Sequence, residues 1–226
     1  MTKAEYQKIE SYMLNQMLDG AHDEHHIYRV LYVALDIASY EEKVDRDVLI
    51  ASCLLHDIGR EKQFLDENVC HAQAGGEMAY DFVRTLGWDE AKALHVKECV
   101  STHRFRSSSP PQSIEAKIIF DSDKLDVAGS VGIARSLIYQ GQVGTRLYHV
   151  DTKGYIITEK NADTDSNSFF EEYNFKLKNI YNTFFTERAK EIAMKREKNA
   201  IDFYNGLYEE VAENYEKGVK YLNNLK

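Results

Sequence analysis

Apolar residues recur along this chain with the period of a helix almost from end to end. Tyr6, Ile9, Met13, Leu14 and Met17 form a first stripe, which Asp19-Gly20 ends. Ile27, Val30, Leu31, Ala34, Leu35 and Ala38 form a second, on a helix predicted from about His22 to Tyr40. Asp45 stands where an N-cap belongs, ahead of a helix through Leu54 and Leu55, and Gly59 is its expected stop. A fourth helix is expected from about Ala72 to Leu86, closed by Gly87. Asp89 can cap a fifth, with Val96, Cys99, Val100 and His103 on one face. Ser107-Ser108-Ser109-Pro110-Pro111 reads as a loop, and another helix follows from about Ser113 to Val127.

Beyond Val127 the pattern loosens. Gly129, Gly132, Gly141 and Gly144 punctuate it, and Tyr155-Ile156-Ile157-Thr158 is the only strand-like run, enough for one short hairpin. Asn161 to Asn167 reads as a polar connector. Phe169 to about Leu222 is helical and charged again, with aromatics at Phe175, Tyr181, Phe184, Phe185, Phe203, Tyr204 and Tyr208. The expected fold is all-α, with a core over residues 1–145 and a mostly helical C-terminal extension over 146–226. That extension is expected either to pack on the core or to serve as a homodimer arm.

Composition narrows the function. Hydrophobic residues make up 43% of the 226 positions and charged residues 29%, as in a globule with one large core. The formal charge of -9 disfavours broad binding of polymeric nucleic acid, yet leaves nucleotides open, since a metal can supply local positive charge. No apolar run has membrane-spanning length and the N-terminus has no signal core, so a cytoplasmic protein is expected. Cys53, Cys70 and Cys99 show no CxxC spacing and read as structural thiols of a reducing compartment.

The chemistry concentrates at His56-Asp57, where the apolar run Ala51-Ser52-Cys53-Leu54-Leu55 leads straight into an imidazole and a carboxylate. Burying either without a partner is costly. A divalent ion would take both as ligands; a plain helix C-terminus with His56 complementing the dipole is the bland alternative. His26 stands at the edge of its apolar stripe, His103 lies on one, and His71 opens a glycine-bearing segment. His22, His25, His95 and His149 have no such setting and read as solvent-facing or local. Asp121-Ser122-Asp123-Lys124-Leu125-Asp126 sets three acids on one helix. Two rival stripes take Asp123 or Asp121 inward, and Asp126 reads as a solvated face.

In this order, His26, His56-Asp57 and the Asp-x-Asp-Lys-Leu-Asp segment resemble the H…HD…D signature of the HD-domain metal-dependent phosphohydrolases, a helical-bundle family. The resemblance covers roughly residues 22–139. His26-Ile27-Tyr28-Arg29-Val30, Leu54-Leu55-His56-Asp57-Ile58-Gly59, His71-Ala72 and Gly129-Ser130-Val131-Gly132-Ile133-Ala134-Arg135 are similar to a small bacterial branch that includes nucleotide pyrophosphohydrolases. The resemblance implies His26, His56, Asp57 and Asp123 as metal ligands, choosing Asp123 over Asp121 because it precedes Lys124-Leu125. It places His71 and His103 near the phosphate or at a second ion.

Two imidazoles and two carboxylates leave open positions on one divalent ion for water and a phosphate oxygen. Mn, Ni, Fe, Zn, Co and Mg are not distinguished by such a donor set. Asp57 is the expected proton acceptor and Arg60 the catalytic cation. Arg29, Arg104 and Lys124 are further expected contacts to the substrate phosphate. The expected activity is hydrolysis of a small-molecule phosphate, in a nucleotide. The branch resemblance implies pyrophosphate release from a triphosphate; a phosphodiesterase, a monophosphatase and a non-catalytic nucleotide-binding module remain as alternatives.

Overall fold

The structure is a computed structural model, described over residues 1–17, 24–104, 110–151, 154–159 and 168–225. The expected stop at Asp19-Gly20, His22, most of the 107–111 loop and the 161–167 connector lie outside the described residues. Among the described residues the chain is all-α apart from one tiny hairpin. No described helix is long and apolar enough to cross a membrane.

The chain divides into two compact units, Met1–Asp126 with Phe184–Lys190, and Val127–Thr183 with Glu191–Lys226. The boundary expected after residue 145 lies inside the second unit.

The first unit holds α1 (Lys3–Gln16), α2 (Glu24–Ala38), α3 (Arg46–Leu55), α4 (Arg60–Leu65), α5 (His71–Thr85), α6 (Glu90–Thr102) and α7 (Ile114–Asp126). Helix starts follow local chemistry. Thr2 and Glu5 form a capping box on α1, the Asp45 side chain accepts from the amides of Asp47 and Val48, and Asp89 accepts from Lys92. Gly87, at φ +88°, ends α5 in the left-handed conformation that favours glycine. Helix α5 packs on α6, α2 on α7, and α3 on both α2 and α6. Their apolar stripes bury Ile27, Val30, Leu31 and Ala34 with Leu49, Leu54, Leu55, Ile118 and Ile119.

Gly59 does not end α3. That helix stops at Leu55, and Gly59 has an ordinary φ of -84° ahead of α4, a helix the pattern does not foretell. Its role is clearance. A Cβ there would overlap the carbonyl oxygen of His71 and lie 2.6 Å from the amide nitrogen of Gly75. The turn after α3 thus packs directly on the backbone of α5.

The second unit contains α8 (Gly129–Gln142), the hairpin of β1 (His149–Val150) and β2 (Ile156–Ile157), α9 (Phe169–Phe175), a 3₁₀ turn over Leu177–Asn182 and most of α10 (Glu187–Asn223). The loose region expected around Gly129–Gly141 is helical. Gly132 lies so close to the backbone of Val127 that a Cβ would collide with it. Ile133, Phe169, Phe170, Tyr173, Leu177 and Ala200 form this unit's core.

A candidate metal centre

Six polar side chains converge within the first unit. His26 comes from the first turn of α2, and His56 and Asp57 from the turn after α3. His71 is the first residue of α5, His103 follows the last residue of α6, and Asp123 lies on α7. All four imidazoles and Asp57 are buried.

The four rings present the same nitrogen inward. Nδ1 of His56 lies 2.8 Å from the carbonyl oxygen of Cys53, and Nδ1 of His103 lies 2.6 Å from that of Val100. Nδ1 of His26 lies 2.7 Å from Oδ2 of Asp126. These oxygens only accept, so each Nδ1 carries a proton, and in the neutral ring Nε2 keeps a lone pair. Nδ1 of His71 meets Oε1 of Gln63 at 2.6 Å, and Arg104 donates to that same oxygen at 3.4 Å. The same guanidinium lies 3.2 Å from Nδ1 of His71, so Arg104, Gln63 and the ring form one polar group.

Asp57 stands between two groups. Its Oδ2 lies 3.6 Å from Nε2 of His26 and 3.7 Å from Nε2 of His56. Its Oδ1 lies 3.6 Å from Nε2 of both His71 and His103. Nε2 of His26 is also 3.5 Å from Oδ1 of Asp123 and 3.3 Å from Nε2 of His56. Two donor sets result, His26/His56/Asp123 and Asp57/His71/His103. Metal–ligand bonds of about 2.0–2.2 Å place neighbouring donors roughly 3.0–3.6 Å apart, the spacing found here. Oδ1 of Asp57 and Nε2 of His71 have no hydrogen-bond partner. Unpartnered buried polar atoms facing one another fit a cation between them.

Burial pushes His56 down to about 4, and burial with the Arg60 charge pushes His71 down to about 2, so both rings are neutral. Burial disfavours charge on His26 too, but the Asp126 hydrogen bond and the nearby Asp57 and Asp123 carboxylates outweigh it and push that ring up to about 8, so an ion at Nε2 would have to displace a proton. Burial opposes ionisation of Asp57, yet the neighbouring His56 and Arg60 hold it well below the usual carboxylate range. Asp123 is likewise held down, by Lys124 and His26 against burial.

The expected phosphate contacts separate. Arg60 donates through Nε to Oδ2 of Asp57 at 2.6 Å. Lys124 lies 3.7 Å from Asp123 and over the Phe120 ring. Arg104 reaches Gln63 beside His71. Arg29 is paired with Asp126, through Nε to Oδ1 at 2.7 Å and Nη2 to Oδ2 at 3.0 Å.

Asp126 corrects the sequence reading: it is buried and paired, not solvated, because Arg29 and His26 supply its donors. Asp121 is buried elsewhere. It accepts from the amides of Phe185 and Thr186 and from the Thr186 hydroxyl, at 2.7–2.9 Å for the shortest contact of each. Gln63 has no counterpart in the sequence reading; its signal was the three-residue spacing from Arg60. His25 is exposed, while His95 is half-buried and 3.2 Å from Glu115.

A model of the HD domain matches residues 24–128. The Bacillus subtilis protein YpgQ, described as uncharacterized, is 29% identical over 199 residues, spanning 85% of each chain. The crystal structure of YpgQ in complex with ADP superposes with a TM-score of 0.70 at 24% identity, covering 91% of this chain and 97% of that one. A predicted HD superfamily hydrolase from an uncultured Thermotogales bacterium gives a TM-score of 0.61 at 28% identity, over 92% of each chain. With the H…HD…D residues gathered at one site inside the matched segment, residues 24–128 form an HD domain, similar to that of the HD superfamily hydrolases.

Proposed function

We propose that this chain is a metal-dependent phosphohydrolase that cuts a nucleoside triphosphate to the monophosphate and pyrophosphate. The observation that carries the reading is the convergence of four imidazole Nε2 atoms and two carboxylates, with Oδ1 of Asp57 and Nε2 of His71 left unpartnered. His26, His56, Asp57 and Asp123 would hold one divalent ion. His71 and His103, with Asp57, would hold a second ion or meet the substrate phosphate. An ion held there polarises a phosphoryl oxygen and makes water a nucleophile at neutral pH.

The chain's own residues account for the rest. Arg60, partly exposed and anchored on Asp57, offers its free guanidinium edge to a phosphate. Arg104 and Lys124 add positive charge in a protein of net charge -9. Water attacks the α-phosphorus, the bridging P–O bond breaks and pyrophosphate leaves with the bond's electrons. The proton of the attacking water passes to Asp57 and on to solvent. Pyrophosphate is a far better leaving group than a sugar alkoxide. That YpgQ has been crystallised with ADP supports a nucleotide as substrate.

The test is a panel of nucleoside tri-, di- and monophosphates and cyclic nucleotides, run with Mn²⁺, Mg²⁺, Co²⁺, Ni²⁺ and Zn²⁺. Pyrophosphate with the nucleoside monophosphate is the expected product pair. Orthophosphate alone, or turnover of cyclic substrates only, overturns this reaction class.

A further inference from the structure

His26 is gripped between two acids of one helix. Its Nε2 faces Asp123, and its Nδ1 donates to Asp126, three residues further along α7. Arg29, three residues beyond His26 on α2, occupies both oxygens of Asp126. Two i,i+3 pairs on facing helices therefore interlock.

We propose that Asp126 and Arg29 are positioning residues for His26, fixing the ring orientation and tautomer that direct Nε2 to a divalent ion, and that Arg29 does not bind phosphate. The inference rests on the metal-site reading above.

Comparison with the other rings shows why His26 needs such a device. His56 and His103 follow the ends of helices, where backbone carbonyls are free, and each ring donates to the carbonyl three residues back. His26 sits in the first turn of α2, where helix carbonyls are taken up by the turn that follows. Its acceptor must come from another element, and α7 supplies it. Arg29 then holds that acceptor in place. Asp126 is 5% exposed, while the Arg29 side chain remains 38% exposed, so the carboxylate is the fixed member of the pair. Outer hydrogen-bond partners of this kind commonly change metal affinity 10- to 100-fold.

The experiment titrates Zn²⁺ and Mn²⁺ into metal-stripped protein against a chromophoric chelator, for wild type, Asp126→Ala, Asp126→Asn, Arg29→Met and the Ala/Met double variant. Asp126→Ala is expected to bind about 10- to 100-fold more weakly. Asp126→Asn keeps an acceptor oxygen and should lose less. Arg29→Met should lose affinity as a single change and none further in the double variant. Its nucleotide KM at saturating metal should match wild type. Wild-type metal affinity in Asp126→Ala, equal loss in the Asn and Ala variants, or a raised KM with unchanged metal affinity in Arg29→Met would overturn the proposal.

Failure of the underlying reading looks different: the wild-type protein itself would bind no ion. In that event the imidazole ¹⁵N shifts of ion-free protein decide the positioning role. At a pH high enough for the ring to be neutral, His26 should be protonated at Nδ1 in wild type and tautomerically mixed in Asp126→Ala; the same tautomer in both overturns it.

Discussion

Oδ1 of Asp57 and Nε2 of His71 face each other across 3.6 Å, both buried and neither hydrogen-bonded. A desolvated polar atom without a partner costs on the order of 1–3 kcal/mol. Asp57 approaches the histidines of both donor sets, through Oδ2 to His26 and His56 and through Oδ1 to His71 and His103. Asp57→Ala should therefore remove all bound ion and all hydrolysis, with helical content retained by circular dichroism. His71→Ala should keep the ion at His26, His56 and Asp123. Elemental analysis after dialysis reads both, and full occupancy in Asp57→Ala would refute the assignment.

Asp123 and Asp121, two residues apart, should separate cleanly. Asp123→Ala should strip the ion. Asp121→Ala should keep it and unfold more easily, because the amides of Phe185 and Thr186 lose their acceptor. The expected loss is about 1–3 kcal/mol in denaturant melts. Ion loss in Asp121→Ala with retention in Asp123→Ala would reverse the roles.

A methyl group on Gly59 should act on both stability and site. Gly59→Ala must push apart the turn after α3 and the start of α5, where His71 sits. Overpacking of this kind costs typically about 1–3 kcal/mol, sometimes more. Thermal melts should show the loss, and metal titration should show weakened binding. A melting temperature within a degree of wild type would contradict the contact.

Thiol chemistry should single out Cys70, the exposed cysteine of the three. Burial pushes Cys53 upward, and Cys99 up to about 12, so neither forms thiolate at ordinary pH. One fast-reacting thiol is expected in native protein at pH 8, and three after unfolding. The two slow thiols should stay slow when the pH is raised to 10. Two or more fast thiols in the native state would show that α3 and α6 open readily.

The helical periodicity reached far into this structure, because amphipathic stripes report burial directly. It placed α2, α3, α5, α6 and α7 and the caps at Asp45 and Asp89. It missed α8, since Gly129 and Gly132 read as breakers; at Gly132 the glycine permits a close approach to Val127. Gly59 was misread for the same reason. The order His26, His56-Asp57, Asp123 was legible because it carries a chemical signature. The burial of Asp126 was not, because nothing local fixes it: its partners Arg29 and His26 lie about a hundred positions earlier in the chain. Gln63 was hidden likewise, its contact to His71 arising only when α4 folds against α5.

The polar cluster draws on five separate stretches of chain, from His26 in α2 to Asp123 in α7. No nascent fragment ending before α7 contains the complete set, and no local hairpin of helices can mimic it. Closing so wide a span falls late in folding, since distant contacts follow nearby ones. An ion that requires the full constellation would grip only finished molecules, acting as a latch on the folded state and slowing its escape.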